Sequence, residues 1–137
     1  MSVREISLTE GKYVITVSAL KQSVDEPSAM APYLGANCIV TATNDDIFIT
    51  LTFNNHQVIT GFQVEKNEKE FVPSIDRHVN MDENIRYEIF QLNQLQTIIN
   101  ARVQYKVEHE GQSFTGDEQL RLQFDHQSLK NLEHIDF

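Results

Sequence analysis

Two short stretches of this sequence hold side chains that could do chemistry. The first is EPSAMAPYLG at 26–35, with a hydroxyl at Ser28, a thioether at Met30 and a phenol at Tyr33. Ser28 and Tyr33 offer hydroxyl donors to an anionic group, while Met30 and Ala31 suit contact with a flat apolar ligand. The alternative is a plain connection whose Met30 and Tyr33 lid a core. The second stretch is VQYKVEH at 103–109, where Tyr105 and His109 lie four apart. On a strand, side chains alternate, so both would face the same side. A phenol and an imidazole on one sheet face could ligate iron. The alternative is an interior tyrosine with its hydroxyl satisfied and a surface histidine at a strand end.

Catalytic sets are missing from the sequence. There is no G-x-S-x-G elbow, no H-E-x-x-H and no phosphate-binding glycine loop. The histidines at 56, 78, 109, 126 and 134 are scattered. His126 and His134 could be neighbours on a helix, but two imidazoles make a poor zinc site without a third ligand. Cys38 is the only cysteine, so neither an internal disulfide nor a cysteine-based metal cluster can form. In NCIVTAT, alternation groups Cys38 with Val40 and Ala42, which makes it a buried core thiol. No enzymatic activity is expected.

The elements that must position these groups are strands. A period of two runs through KYVITVSAL (12–20), NCIVTAT (37–43), IFITLTF (47–53), VITGFQVE (58–65), IRYEIFQL (85–92), TIINARVQYKVEH (97–109) and EQLRLQFD (118–125). Asn44-Asp45-Asp46 is turn chemistry, EKNEKE (65–70) is a charged turn, and FVPSID (71–76) resumes an extended run in which Pro73 marks an edge or a break. The Gly-bearing EGQSFTGD joins the last two runs as a hairpin. About eight strands at this spacing predict an all-β, antiparallel, immunoglobulin-like sandwich. Two short helical pieces are predicted beside it. One is a single turn within 26–34, and the other is the tail HQSLKNLEHIDF, whose Leu129, Leu132 and Ile135 are three apart.

The chain has 137 residues, which fits one domain spanning 1–137, and its 40% hydrophobic content suits a folded core. A formal charge of −9 argues against nucleic acid as a partner. No apolar run is long enough to span a membrane, and MSVREISLTEGKY carries no signal-peptide pattern. That leaves a cytoplasmic protein or a mature domain of a secreted one. The absence of tryptophan ranks a sugar-binding sandwich last.

From about Gly11 to Asp125, the order of segments resembles a NEAT domain, the haem-binding β-sandwich of Gram-positive cell surfaces. GKYVITVSALK looks like its first strands, and SAMAPYL looks like its Ser-x-x-x-x-Tyr helix motif, matched by Ser28 and Tyr33. ANCIVTATNDDIFITLTFNNHQVITGFQVE looks like its central strands, and NARVQYKVEHEGQSFTGDEQLRLQFD looks like its closing hairpin. The resemblance implies an extracellular or wall-attached module that scavenges or relays haem, with Ser28 and Tyr33 on a propionate. In the family, the opposite haem face uses Tyr-x-x-x-Tyr on the last hairpin, the first tyrosine binding iron. This chain departs from that pattern: Tyr105 and His109 keep the spacing on the first arm, while counting back from LRLQFD reaches Phe114 and Glu118. Phenylalanine cannot ligate iron, so the candidate metal ligands are Tyr105 and the Met30 thioether. The alternative the resemblance carries is an adhesion module that recognises a host protein such as haemoglobin without ligating haem.

Overall fold

Strand-forming Val, Ile, Thr and Phe alternate with polar residues along most of the chain, and Asn, Asp and Gly interrupt them. In the computed structural model, which describes residues 3–67 and 70–132, those interruptions are the turns. The strands are β1 (Glu5–Ile6), β2 (Gly11–Lys21), β3 (Asn37–Ala42), β4 (Ile47–Asn54), β5 (Ile59–Asn67) and β6 (Glu70–Pro73). They continue with β7 (Asp76–Asn80), β8 (Ile85–Leu92), β9 (Leu95–Gln96), β10 (Ile98–His109) and β11 (Gln112–Asn131). A 3-10 turn, Ala31–Tyr33, lies between β2 and β3, as the proline-broken stretch predicts. Of the charged turn EKNEKE, positions 68 and 69 lie outside the described residues.

The fold is all-β and antiparallel, built on a curled, sandwich-like sheet with more strands than the eight expected. One nine-stranded sheet runs β6-β5-β10-β11-β2-β3-β4-β8-β7, and a two-stranded sheet pairs β1 with β9. The outermost strands, β6 and β7, are consecutive in the chain and joined only through Ser74 and Ile75. The sheet must therefore curl until its two edges meet at that link. Rings inside the curl bridge its halves: Phe62 of β5 lies 5.0 Å from Phe53 of β4 and 5.9 Å from Phe90 of β8, centroid to centroid. Pro73 sits on edge strand β6, where its missing N–H costs no ladder bond.

Alternation decides what the curl encloses. Tyr13, Ile15 and Val17 of β2, Cys38, Val40 and Ala42 of β3, and Ile49, Leu51 and Phe53 of β4 are buried. Along β8, however, the inward set is Arg86, Glu88, Phe90 and Leu92. The two charges neutralise each other inside, with Arg86 Nε donating to Glu88 Oε2 at 2.7 Å. Ser74 Oγ donates to Glu88 Oε1 at 2.7 Å, and Arg86 Nη1 donates to the His56 carbonyl at 3.0 Å.

The predicted tail helix is not formed over 126–131. These residues continue β11, which pairs with β2 up to Asp125↔Thr16 and again at Lys130↔Val14 and Asn131↔Tyr13. Between those points the strand bulges, and its own polar side chains hold the bulge. Gln127 N donates to Asp125 Oδ1 at 3.1 Å, Ser128 Oγ donates to the Asp125 carbonyl at 2.7 Å, and Thr16 N donates to Ser128 Oγ at 2.8 Å. Asp and Ser thus satisfy local backbone groups in a way that competes with a helix. Leu129 still packs on the core. Positions 133–137 of the proposed helix, with His134 and Ile135, lie outside the described residues.

Candidate functional site

The stretch from Pro27 to Gly35 forms a lip over one end of the curl. Pro27 bridges to Leu20 of β2, and Leu34 bridges to Phe53 of β4, so both ends of the lip are sewn to the sheet. Ser28 N donates to the Ala19 carbonyl at 3.0 Å, and Ser28 Oγ accepts from Met30 N at 3.1 Å. That local bond fixes the entry to the 3-10 turn, where Pro32 supplies a φ already suited to a first turn. Tyr33 N donates to the Met30 carbonyl at 2.9 Å and closes the turn. Gly35 N donates to the Thr52 carbonyl at 2.8 Å, and a Cβ on Gly35 would stand 3.1 Å from that of Thr52. Glycine therefore lets the lip lie close to β4.

The facing wall is the hairpin of β10 and β11. Its turn consists of Glu110 and Gly111, both with positive φ (52° and 78°), between the paired His109 and Gln112. Two successive left-handed residues make the type I′ turn that matches strand twist. Register places Val103 opposite Glu118, Tyr105 opposite Gly116, and Val107 opposite Phe114. On the outer face, Arg102 grips Asp117 with two bonds of 2.7 and 2.8 Å, and Gln104 adds a third to the same carboxylate at 3.2 Å. The Arg102 guanidinium holds the Asp117 carboxyl below the usual carboxylate range. A β-bulge in β5 shifts the register beside Tyr105: Gln104 pairs with Gly61 and Tyr105 with Ile59, which leaves Thr60 as the extra residue.

Between lip and hairpin lies a cavity of about 480 Å³. Met30, Val58, Ile59, Val103 and Val107 give it an apolar lining. Lys21, Gln22, Ser28 and Tyr33 supply polar groups, and Tyr105 and Glu118 come from the hairpin. Among the described residues, the Tyr33 and Tyr105 hydroxyls make no hydrogen bond, and Glu118 has neither a hydrogen bond nor an ion pair. Lys21 lends its ammonium to Glu26 at 3.0 Å in an exposed pair.

Four of the six residues singled out in the sequence meet here: Ser28, Met30, Tyr33 and Tyr105. His109 does not line the cavity. It ends β10 beside the turn with a 74% exposed side chain, 3.8 Å from Glu110. The hairpin extends past the ends of β5 and β2, so its tip leaves the wall behind. Phe114 is on that projecting part, 52% exposed, opposite Val107. Met30 is 5% exposed and belongs to the core as well as to the cavity lining. Sequence reasoning missed Lys21 at the end of β2, Ile59 at the start of β5 and Val58 in the turn before it, none of which shows a signal of its own. It also missed Gly116, whose meaning appears only when the register sets it against Tyr105.

Residues 7–126 match the family model described as NEAT, the iron transport-associated domain. The chain is 23% identical over 128 residues to hemin/hemoglobin-binding protein 1 of Listeria monocytogenes serovar 1/2a, an alignment that takes in 93% of this chain. It spans 59% of that relative's length. Among solved structures, the NEAT5 domain of IsdX2, a B. anthracis hemophore, in complex with haem superposes with a TM-score of 0.74 at 29% identity. That match covers 85% of this chain and 97% of the other. A point mutant of the same IsdX2 domain, also in complex with haem, gives a TM-score of 0.75 at 29% identity, covering 86% and 97%. With the match running over most of its length, the chain belongs to the NEAT family of iron transport-associated domains.

Proposed function

We propose that this chain, as one NEAT domain over 1–137, binds haem between the Ser28–Tyr33 lip and the β10–β11 hairpin and performs no catalysis. The observation that carries the reading is the convergence of Ser28, Met30, Tyr33 and Tyr105 on one apolar slot. Its volume falls within the range typical of small-molecule sites. One relative of the same fold, the IsdX2 NEAT5 domain, was solved with haem both unaltered and as a point mutant, which supports the choice of ligand.

The residues present fit that group. Apolar side chains on both walls take the faces of a flat ring out of water, and this burial supplies most of the affinity. The Tyr33 hydroxyl and the Ser28 hydroxyl, whose oxygen accepts from Met30 N but whose proton is uncommitted, can donate to the carboxylates at the ring's edge. When bound, a haem iron offers axial coordination positions. Tyr105, from the hairpin, would hold the iron through its phenol oxygen, with the Met30 sulfur of the lip as the alternative ligand. His109 and Phe114 stand at the exposed hairpin tip, outside the cavity lining.

The biological setting is haem scavenging or relay outside the cell or on its wall. The Listeria relative's name supports haemoglobin, or another haem-carrying protein, as the donor. Titration of the protein with hemin tests the reading. A sharpened Soret band should survive gel filtration, Tyr105→Phe should alter that spectrum, and Met30→Leu should leave its shape intact. Hemin that separates completely from the protein on the column refutes the proposal.

A further inference from the structure

We propose that Gly116 is the positioning residue for Tyr105: it opens the bay across which the phenol lies, and so sets where an iron ligand can stand. The inference rests on the haem reading and concerns a residue that makes no contact of its own with the ligand. A Cβ built on Gly116 would fall 2.1 Å from Tyr105 Cζ, 2.2 Å from its hydroxyl oxygen and 2.6 Å from Cε1. These are overlaps with the far end of the ring, so the ring lies over the β11 backbone where a side chain would otherwise project. Gly116 lies in mid-strand, opposite Tyr105, and needs no left-handed backbone. Glycine weakens a strand interior, and its established use there is close approach by another group. The group here is the phenol.

The geometric result is a transfer between strands. Phe114, Gly116 and Glu118 share one face of β11, since they alternate by two. Tyr105 belongs to β10, yet its oxygen reaches the β11 column between Phe114 and Glu118. Phe114 has no donor atom to offer there, so the neighbouring strand provides one. The Tyr105 hydroxyl makes no hydrogen bond among the described residues, so packing over Gly116 and against the core edge is what holds it. On the other side, Tyr105 is paired with Ile59 across the bulge in β5. Any side chain at Gly116 expels the ring from its bay, and the oxygen leaves the column.

Two measurements on the full chain test this. The first needs no ligand. Gly116→Ala should lower the urea midpoint in the unaltered chain. In a Tyr105→Ala background it should leave the midpoint unchanged or raise it, because alanine is the better strand residue once the ring is gone. The second uses hemin. Gly116→Ala should change the visible spectrum as Tyr105→Phe does and weaken retention at least tenfold, and Gly116→Ala added to Tyr105→Ala should be no worse than Tyr105→Ala alone. Equal midpoint shifts in both backgrounds overturn the proposal, as does a Gly116→Ala variant with the wild-type hemin spectrum. If the midpoints reverse sign but the unaltered chain retains no hemin, the ring's seat stands and the haem reading falls.

Discussion

Replacing Glu88 with glutamine keeps the shape of β8 and removes one charge from the interior. Glu88 and Arg86 are 1% and 4% exposed and meet at 2.7 Å, and Arg77 stands 3.9 Å away from the outside. Arg86 also lies over the Phe53 ring, 5.4 Å from its centroid. Its Nη2 is buried without a hydrogen-bond partner among the described residues, so no spare acceptor waits to replace Glu88. Loss of one partner of a buried pair leaves an uncompensated charge and costs about 3–5 kcal/mol. For a chain of this size that lowers the melting temperature by roughly 12–20 °C. Thermal and urea unfolding of Glu88→Gln measure it directly. The paired replacement Arg86→Met with Glu88→Leu should recover most of the loss, because an apolar pair of similar volume needs no compensation. A Glu88→Gln variant that loses under about 1 kcal/mol, or a paired variant no better than the single one, refutes the argument that charge drives the effect.

Two further outcomes follow from single side chains. Burial pushes the Cys38 thiol up to about 12, so the native state keeps its proton where an unfolded chain would release it. Stability from this source is complete below the ordinary thiol range and is lost as pH rises through it towards the native value, by about 1.4 kcal/mol per pH unit. Alkaline urea titrations should show that loss in the wild type and not in Cys38→Ala, and a thiol reagent at neutral pH should label the protein only after unfolding. At the hairpin tip, Gly111 has φ of 78° and no atom within 4 Å of the place a Cβ would take, so Gly111→Ala meets backbone strain alone. It should cost about 1 kcal/mol in denaturation, and a neutral result would mean that the turn relaxes.

The alternation of apolar residues identified most of the strands and faces, because period two is a local property. IFITLTF became β4 with Ile49, Leu51 and Phe53 inside, and NCIVTAT buried its thiol. Closure was not legible, because no local pattern states that β6 and β7 are both edges and almost touch in sequence. Nor does IRYEIFQL announce its facing: either Ile85, Tyr87 and Ile89 or Arg86, Glu88 and Phe90 could point inward, and a long-range bond from Ser74 favours the second set. The tail illustrates the reverse error. Leu129 and Leu132 carry helical spacing, but an open β2 edge offered pairing, and Asp125 and Ser128 met the local backbone demand. At the site, Ser28, Met30 and Tyr33 were readable as a cluster because one short turn holds them. Tyr105 joined them through register, which also separated it from His109.

The pairing order sets the sequence in which the slot can be made. Ala19 of β2 pairs with Leu122 of β11, and β10 fits between β11 and β5. The lip therefore waits, attached to early strands, until the last hairpin has been synthesised and inserted. Contacts of such large sequence separation are slow to close, because the loop entropy is spent before they form. A ribosome-bound chain that ends before β11 can have its lip, the lip's β4 partner and β10, but the cavity between lip and hairpin takes its final form only once β11 has paired with both β2 and β10.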